Sequence, residues 1–598
     1  MKKIIYFTSL LILLHSCKTP QAAAPVDETI IATLDLVNVQ DDKVMVTVDP
    51  GNITSEEILF YIPKTVPGTY STANFGQFVE NFKAYDKKDN ALTVVAKDVN
   101  SWQILDAKKL DKVTYWMNDS FDISGESGIY SMAGTNIKEA ENYMLNLHGF
   151  VGYFEEMMEK PYRLEVVRPQ GLFPGSALTV NETVAAPKGQ KDIFSMNRYF
   201  EVTDNPIMYA TADTATFKVE NMDVLLHIYS PNKIYSAQDF KPAMEKMVRA
   251  QKSFLGEIDE TNKYAILLYL SATPGEGDAG NFGALEHHTS TVVVMPETMG
   301  KEALISSLTD IVSHEFFHIL TPLGVHSEEV HYFNYNEPQM SQHLWLYEGV
   351  TEYFANLFQV NQGLISNQEF YDRMNEKITS SKAFDDTMPF TVMSENILED
   401  KYQDSYYNVY LKGALIGMAL DIRLRELSHG EMGLLDLMKK LTHKYGKDRP
   451  FKDEELVSTI VELTYPEIQT FFDTYVSGTT PIPYNEFFKK VGLEMREGEI
   501  PVDYFLQDQA TPYITINAAG DIVVRNDLVL STFFSHVGLK SGDIIKSING
   551  KNYNVENIYD LISDSVNWQA GEDITITMVR NGEEKTLKSK VIEPMSKG

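Results

Sequence analysis

The chain has 598 residues, 43% of them hydrophobic and 23% charged, which is enough for about three or four domains whose cores need no disulfide staples. It carries 84 acidic residues against 52 basic ones, a formal net charge of -32, and this argues against a nucleic acid or an anionic bilayer as a partner held by charge. A solvated acidic surface accounts for the imbalance.

The first residues, MKKIIYFTSLLILLHSCKTP, place two lysines before an apolar run from Ile4 to Leu14, then a small residue and a cysteine. That is the make-up of a secretion signal, too short to span a bilayer as a mature helix. Leu14-His15-Ser16-Cys17 resembles the lipobox of bacterial lipoproteins. The resemblance implies a signal peptide over residues 1–16, lipid on the Cys17 thiol, and a flexible tether over 17–28. His15 is uncommon in such a box, so simple secretion stays open. Cys17 is the only cysteine, so once it is acylated the folded part has no thiol for disulfides, metal ligation or catalysis within one chain. The expected location is the cell envelope of a diderm bacterium, on a lipid anchor facing the periplasm from the outer membrane.

From residue 29 to 205 the pattern is strand-like. The runs KVMVTV (43–48), ILFYI (58–62), VTYWM (113–117) and YRLEVV (162–167) are β-branched or aromatic and are broken by Pro, Gly, Asn and Asp, which predicts an all-β domain. Strands continue in VLLHIY (224–229) and YAILLYL (264–270), with a helix-period segment between them at 237–255. After Pro296 apolar periods near 3.6 take over, from Glu302 to about Phe472. Thr479-Thr480-Pro481-Ile482-Pro483 marks an exit, a short amphipathic segment follows at 484–496, and the last hundred residues return to strands at 521–526, 543–550 and 573–582.

The helical region contains Ser313-His314-Glu315-Phe316-Phe317-His318. Residues four apart on a helix lie on one face, so His314 and His318 can aim imidazole nitrogens at one metal ion while Glu315 sits beside a water on that ion. Leu304, Leu308, Ile311 and Val312 form an apolar stripe ahead of the pair, and Thr321-Pro322 ends the run. A catalytic zinc needs a third protein ligand and an open position. Residues 344–357, LWLYEGVTEYFANL, have a helical period in which Leu344, Tyr347, Thr351 and Phe354 give a buried side, so that Glu348 can supply that ligand. One turn on, Glu352 is either an outer partner for a ligating histidine or a solvated helical acid.

HEFFH followed at a distance by WLYEGVTEYFA resembles the gluzincin metallopeptidases, which implies one Zn2+ per chain on His314, His318 and Glu348, with Glu315 as general base. Gly283-Ala284-Leu285-Glu286-His287 is similar to the glycine-rich strand of gluzincin aminopeptidases, where the glutamate takes the substrate's free amine, and His287 is expected to line the cleft. Val409-Tyr410-Leu411-Lys412-Gly413-Ala414 is similar to their Y-x-K-G helix, which makes Tyr410 the donor to the tetrahedral oxyanion. Within the gluzincins the likeness extends to the glycyl aminopeptidase family, through GALEHHTST (283–291), Pro67-Gly68-Thr69-Tyr70 and Asp204-Asn205-Pro206. Residues 537–545, VGLKSGDII, resemble a PDZ core.

The fold this implies is a multidomain α+β protein. It has an N-terminal β-sandwich-like domain (29–205), a thermolysin-like catalytic domain with a mainly helical C-terminal lobe (206–496) and a PDZ-like domain (500–598). The implied activity is that of a zinc aminopeptidase releasing small N-terminal residues such as Gly or Ala from peptides with a free N-terminus. A peptide or protein C-terminus is the expected partner of the PDZ-like part. Two departures bear on this. His318 is followed by Ile319-Leu320-Thr321-Pro322 and an acidic His326-Ser327-Glu328-Glu329 where the family often has a tryptophan and a polar-basic tract, which leaves the residue preference open. The carboxylate loop of PDZ domains has only Leu528-Val529-Leu530-Ser531 as a counterpart. A zinc endopeptidase, and a lipid-anchored PDZ scaffold on an inactive protease fold, are the competing readings. His287, His288, His326, His331 and His343 repeat no ligand spacing with a matching carboxylate and read as ordinary polar residues rather than a second metal site.

Overall fold

The computed structural model describes residues 28–122, 128–258, 261–273, 277–496, 498–508, 511–517 and 519–597. The leader and the expected lipidation site at Cys17 lie outside the described residues. The chain divides into two compact units. One holds the residues up to 64 together with 74–127 and 134–212; the other holds 65–73, 128–133 and 213–598. The division therefore falls at 212 rather than 205, and two short stretches of the β-rich part, Thr65–Ala73 and Gly128–Ala133, group with the second unit. Segments that short carry no periodicity of their own, so only through-space packing assigns them.

The first unit is built on a seven-stranded sheet whose middle strands are Tyr162–Pro169, Ile30–Gln40, Lys43–Asp49 and Leu110–Asn118. Along Ile30–Gln40 the residues Ile30, Ala32, Leu34 and Leu36 are buried and their neighbours half-buried, as expected when one face of a sheet covers a core. Two four-stranded sheets accompany it. Phe60, Phe82, Tyr115 and Phe154 pack with ring centroids 4.9 to 5.8 Å apart, in tilted, edge-on and, for Phe82 with Tyr115, stacked arrangements.

The second unit begins with a five-stranded sheet in the order Thr214–Val219, Met222–Tyr229, Lys263–Ser271, Ser290–Pro296, Gly283–His287. Its central strands pair in parallel. Lys263–Ser271 is buried after its first residue, the continuous apolar run expected of a strand covered on both faces. The edge strand Gly283–His287 returns antiparallel, with Ala284 opposite Val293 and Glu286 opposite Thr291. Helix α1 (Ala237–Leu255) starts at a Ser236/Asp239 capping box, and Lys301, the first residue of α2 (Lys301–Phe317), reaches the same Asp239 at 2.7 Å. Helices α3 (Thr351–Asn361), α4 (Asn367–Ser381) and α5 (Asn408–Leu427) follow.

The chain enters α3 through a wide π-helical turn, Trp345–Val350, whose six residues are all buried. The one-sided stripe expected here gives way to burial all round, and glycine is the reason. A Cβ on Gly349 would stand 2.4 Å from the carbonyl oxygen of Gly413 on α5, and a Cβ on Gly413 would stand 3.0 Å from the Gly349 Cα. The glycines of WLYEG and YLKGA are thus two sides of one backbone contact, which no larger side chain permits.

From residue 499 on, the chain forms its own apolar core around Phe505, Tyr513, Phe533, Phe534, Ile545 and Ile576. An antiparallel sheet runs Ile514–Ile516, Ile522–Val524, Ile544–Ile548, Asp573–Arg580, Glu583–Lys590. Gly542 turns the chain at φ +83°, and Arg580 grips the adjacent Asp543 through two bonds of 2.6 and 2.8 Å.

His227, on Met222–Tyr229, is 0% exposed, and neither ring nitrogen has a hydrogen-bond partner among the described residues. Burial lowers its pKa to about 4. The native state holds the ring neutral, while the unfolded chain takes up a proton below the ordinary value near 6.5, so stability falls as pH drops from about 6.5 to 4 and then levels. Replacing His227 by Leu is expected to remove that decline, about 3 kcal/mol in all. The melting-temperature gap between variant and parent should widen from pH 7 to pH 4; a gap that stays constant counts against this assignment.

Candidate metal centre and active site

α2 delivers His314 in its last turn and His318 at its C-terminal cap, where helical backbone angles persist (φ −60°, ψ −17°). The π-helical turn before α3 delivers Glu348. The ring nitrogens of His314 and His318 and a carboxylate oxygen of Glu348 all lie within 4.8 Å of one another. Glu348 Oε2 stands 3.3 Å from His314 Nε2 and 3.7 Å from His318 Nε2. Ligands of a tetrahedral ion at zinc distances stand about 3.4 Å apart.

The other ring nitrogens are engaged elsewhere. His314 Nδ1 meets Glu352 Oε2 at 2.8 Å, and His318 Nδ1 meets the Thr321 carbonyl at 3.1 Å. Both acceptors fix the proton on Nδ1 and leave the Nε2 lone pairs facing Glu348. Burial favours a neutral His318, with its pKa lowered to about 4. Burial by itself would raise the Glu352 carboxyl, but the Lys377 ammonium on α4, 2.7 Å from Oε1, and the His314 ring hold it below the usual range. Although burial disfavours its charged form, the Glu348 and Glu352 carboxylates hold the His314 pKa well up, so a metal must displace a proton there; two imidazoles and one carboxylate are then a zinc donor set.

Glu315 is buried, and its Oε2 has no hydrogen-bond partner among the described residues. Burial raises its pKa to about 8. Glu286 comes from the edge strand and is half-buried. Loss of water, followed by the Glu348 and Glu315 carboxylates, pushes its pKa well up. Carboxylate oxygens of Glu286 and Glu315 and a His318 nitrogen form a second group within 4.8 Å. With two carboxylates and one shared imidazole, that group suits an ammonium and a proton in transit better than a second metal. Tyr410, in the first turn of α5, has its ring 5.6 Å from that of His314 and its hydroxyl 2.6 Å from the Tyr406 hydroxyl.

Strand alternation separates the remaining expected residues. Ala284 and Glu286 share the face that carries Val293 and the core under α2, whereas Gly283, Leu285 and His287 take the opposite face. His287 is thus on the wrong side of the strand to line the cleft beside Glu286, and Ala284 is core. Gly283 is needed for its own reasons: at φ +148°, a Cβ there would meet the Tyr130 hydroxyl at 2.8 Å and Met132 at 3.0 Å. His343 supports the turn that bears Glu348, accepting from Trp345 Nε1 at 3.0 Å and bonding the Asp453 carbonyl at 2.8 Å. His326 and His331 bond each other at 2.9 Å.

Three site residues were not assigned a role from sequence. Tyr70 donates its hydroxyl to Glu348 Oε1 at 2.9 Å, and Lys377 and Tyr406 engage Glu352 and Tyr410. Pro67-Gly68-Thr69-Tyr70 was the one available signal. Gly68 is needed because a Cβ at φ +83° would lie 2.6 Å from a Glu286 carboxylate oxygen.

Comparison with known proteins agrees with this geometry. Residues 32–211 match the Peptidase M61 N-terminal domain, and residues 307–416, which hold the two histidines, Glu315, Glu348, Glu352 and Tyr410, match the M61 glycyl aminopeptidase domain. No curated protein matches the chain. Among solved structures, an aminopeptidase N family protein from Idiomarina loihiensis shares the fold at a TM-score of 0.71 and 18% identity, over 95% of this chain and 96% of that one. Looser likenesses are an M1 zinc metallopeptidase from Deinococcus radiodurans (TM-score 0.48, 12% identity, 76% of this chain and 95% of that one) and native yeast LTA4 hydrolase (0.46, 12%, 76% and 68%). Fold and site together define a metallopeptidase whose cofactor is Zn2+. With a match to the M61 glycyl aminopeptidase domain over residues 307–416, the chain is a zinc aminopeptidase.

Replacing Glu352 by Gln removes the carboxylate that fixes the His314 tautomer and leaves Lys377 without its ion pair. Zinc affinity is expected to fall about 10- to 100-fold, measured by competition with a chromogenic chelator; unchanged affinity would mean that Glu352 plays no part in holding the ion.

Proposed function

We propose that the enzyme is an exopeptidase that removes one small residue, such as Gly or Ala, from the free N-terminus of a peptide. The observation that carries this reading is the closeness of the Glu286 carboxylate to Glu315 and His318, all within 4.8 Å, with the Gly68 backbone pressed against Glu286 from the other side. That spacing leaves room for one residue between an ammonium on Glu286 and a carbonyl beside Glu315, and none for a longer chain on the N-terminal side. Tyr130, whose hydroxyl pKa is raised by loss of water and then by the nearby charges of Glu315, Glu286 and Glu348, narrows the site and supports a preference for small side chains.

When bound, Zn2+ supplies Lewis acidity to the scissile carbonyl and the attacking water. The chain's own groups do the rest. Glu286 takes the substrate ammonium through a charge-assisted hydrogen bond and fixes the distance to the scissile bond. Glu315, whose burial brings its proton affinity near neutrality, accepts the proton of the attacking water and passes it to the leaving amine. Tyr410, positioned by Tyr406, donates to an oxyanion that exists only in the transition state. Tyr70 holds the Glu348 carboxylate, and Glu352 and the Thr321 carbonyl hold the two rings.

The reading extends to the ends of the chain. The lipobox-like Leu14–Cys17 supports a lipid anchor at Cys17 and residence in the cell envelope. The small antiparallel sheet with two helices beyond residue 499 supports a PDZ-like domain for a peptide or protein C-terminus. If the anchor is present, Cys17→Ser should shift the protein from the membrane to the soluble fraction on cell fractionation; an unchanged distribution argues for simple secretion or another attachment.

Glu315→Gln is expected to keep stoichiometric zinc while kcat falls about 10²- to 10⁴-fold, read by metal analysis and peptide hydrolysis on one preparation. Retained turnover would remove Glu315 from the mechanism. With the parent enzyme, glycyl and alanyl peptides should be cleaved and their N-acetylated forms should not. Comparable cleavage of the blocked peptides would make the protein an endopeptidase.

A further inference from the structure

In the first unit, strands Lys43–Asp49 and Leu110–Asn118 pair antiparallel with Lys43 opposite Asn118. Just beyond that last pair, Asp42 lies in the turn that precedes one strand, at φ +63°, and Asp119 on the chain leaving the other. Like charges brought close oppose folding, and here a third carboxylate, Asp122, joins them. One oxygen from each of Asp42, Asp119 and Asp122 lies within 4.8 Å of the others.

Asp119 is 0% exposed. Its Oδ2 accepts from the Ile137 amide at 2.6 Å, but its Oδ1 has no hydrogen-bond partner among the described residues. A buried carboxylate oxygen without a donor, aimed into a group of carboxylates, lacks a positive charge. The nearby lysine offsets this only in part: Lys43 favours the charged form of Asp42, but as the weakest of the influences there, and its Nζ is 3.1 Å from Glu80. Glu139 adds further negative charge near Asp42. Burial first, and the neighbouring Asp122 carboxyl next, raise the pKa of Asp119 to about 9 and that of Asp42 to about 7, the direction expected of carboxylates missing a counter-ion.

We propose that Asp42, Asp119 and Asp122 form a structural calcium site in the β-rich unit, separate from the zinc centre. The donors are all hard oxygens, which suit Ca2+ and not zinc. The loose spacing, bounded only at 4.8 Å, suits the flexible, longer coordination of Ca2+ at about 2.4 Å better than the strict octahedron Mg2+ demands at about 2.1 Å. The exposed side of Asp122 gives the ion an entry path and room for water ligands. Bound there, the ion ties the turn at Asp41-Asp42 to the chain leaving Leu110–Asn118 and removes the repulsion between them.

The test uses the full-length, zinc-loaded protein and CaCl2 as the probe. Titration calorimetry should find one Ca2+ per chain, and a hundredfold excess over Kd should raise the melting temperature of this unit by about 5 °C. Both effects should vanish in Asp122→Asn, whose exposed position spares the fold, and in Asp119→Asn, while zinc content and peptidase kcat/KM in Asp122→Asn stay at parental values. Absence of calcium heat and of stabilisation in the parent would overturn the proposal and leave carboxyls that share protons. An equal response in parent and Asp122→Asn would overturn it as well, by placing the ion elsewhere.

Discussion

The second unit is organised around a problem of charge: Glu286, Glu315, Glu348 and Glu352 converge on two imidazoles in a site largely closed to water. Four ionised carboxylates that close together are untenable unaided, because each is pushed toward its protonated form by the loss of solvent and by its neighbours. Lys377 balances Glu352. A divalent ion balances two more charges, Glu348 among them, and the ammonium of the substrate balances the last. On the proposed reading, the carboxylates are balanced without taking up protons when metal and a free N-terminus are both in place. The charge that recognises substrate is the same charge that completes the balance, which links binding of the N-terminus to readiness of Glu315 to act as a base.

Backbone proximity makes this convergence possible. The Gly349–Gly413 contact brings the Glu348 turn against the helix that carries Tyr410, and Gly68 brings Thr65–Ala73 onto Glu286. Tyr70, from that same segment and held at φ +46°, ends on the metal ligand itself. A stretch of chain between two strands of the β-rich region thus takes part in the catalytic centre. The Gly128–Ala133 stretch does the same through Tyr130, which feels the charges of Glu315, Glu286 and Glu348.

The proposed calcium site repeats the same physics with different donors. Carboxylates brought together where a turn meets the end of a strand need a cation, and oxygen donors without nitrogen or sulfur select a hard one. At the zinc centre, by contrast, the acids are partnered by imidazoles whose second nitrogens are fixed by Glu352 and Thr321, so the softer ion is preferred.

By itself the sequence determined the features whose information is local. A helix period of 3.6 is enough to put His314 and His318 on one face with Glu315 beside them, and the unbroken apolar run at 264–270 is enough to announce a buried strand. Glu348 and Glu286 were legible through short motifs whose neighbours, Gly349 and Gly283, are demanded by close backbone approach. What only the tertiary structure decided is what depends on contacts between distant segments. Tyr70 and Glu348 are 278 positions apart, and no pattern within one segment encodes that bond. Strand alternation could have set His287 on the face away from Glu286, yet which face looks toward α2 is fixed by packing alone. The partner of Lys377, and the burial of Trp345–Val350 on every side, likewise arise only when α3, α4 and α5 close on one another, because charge pairing and exclusion of water are properties of the assembled core and not of any one stretch of chain.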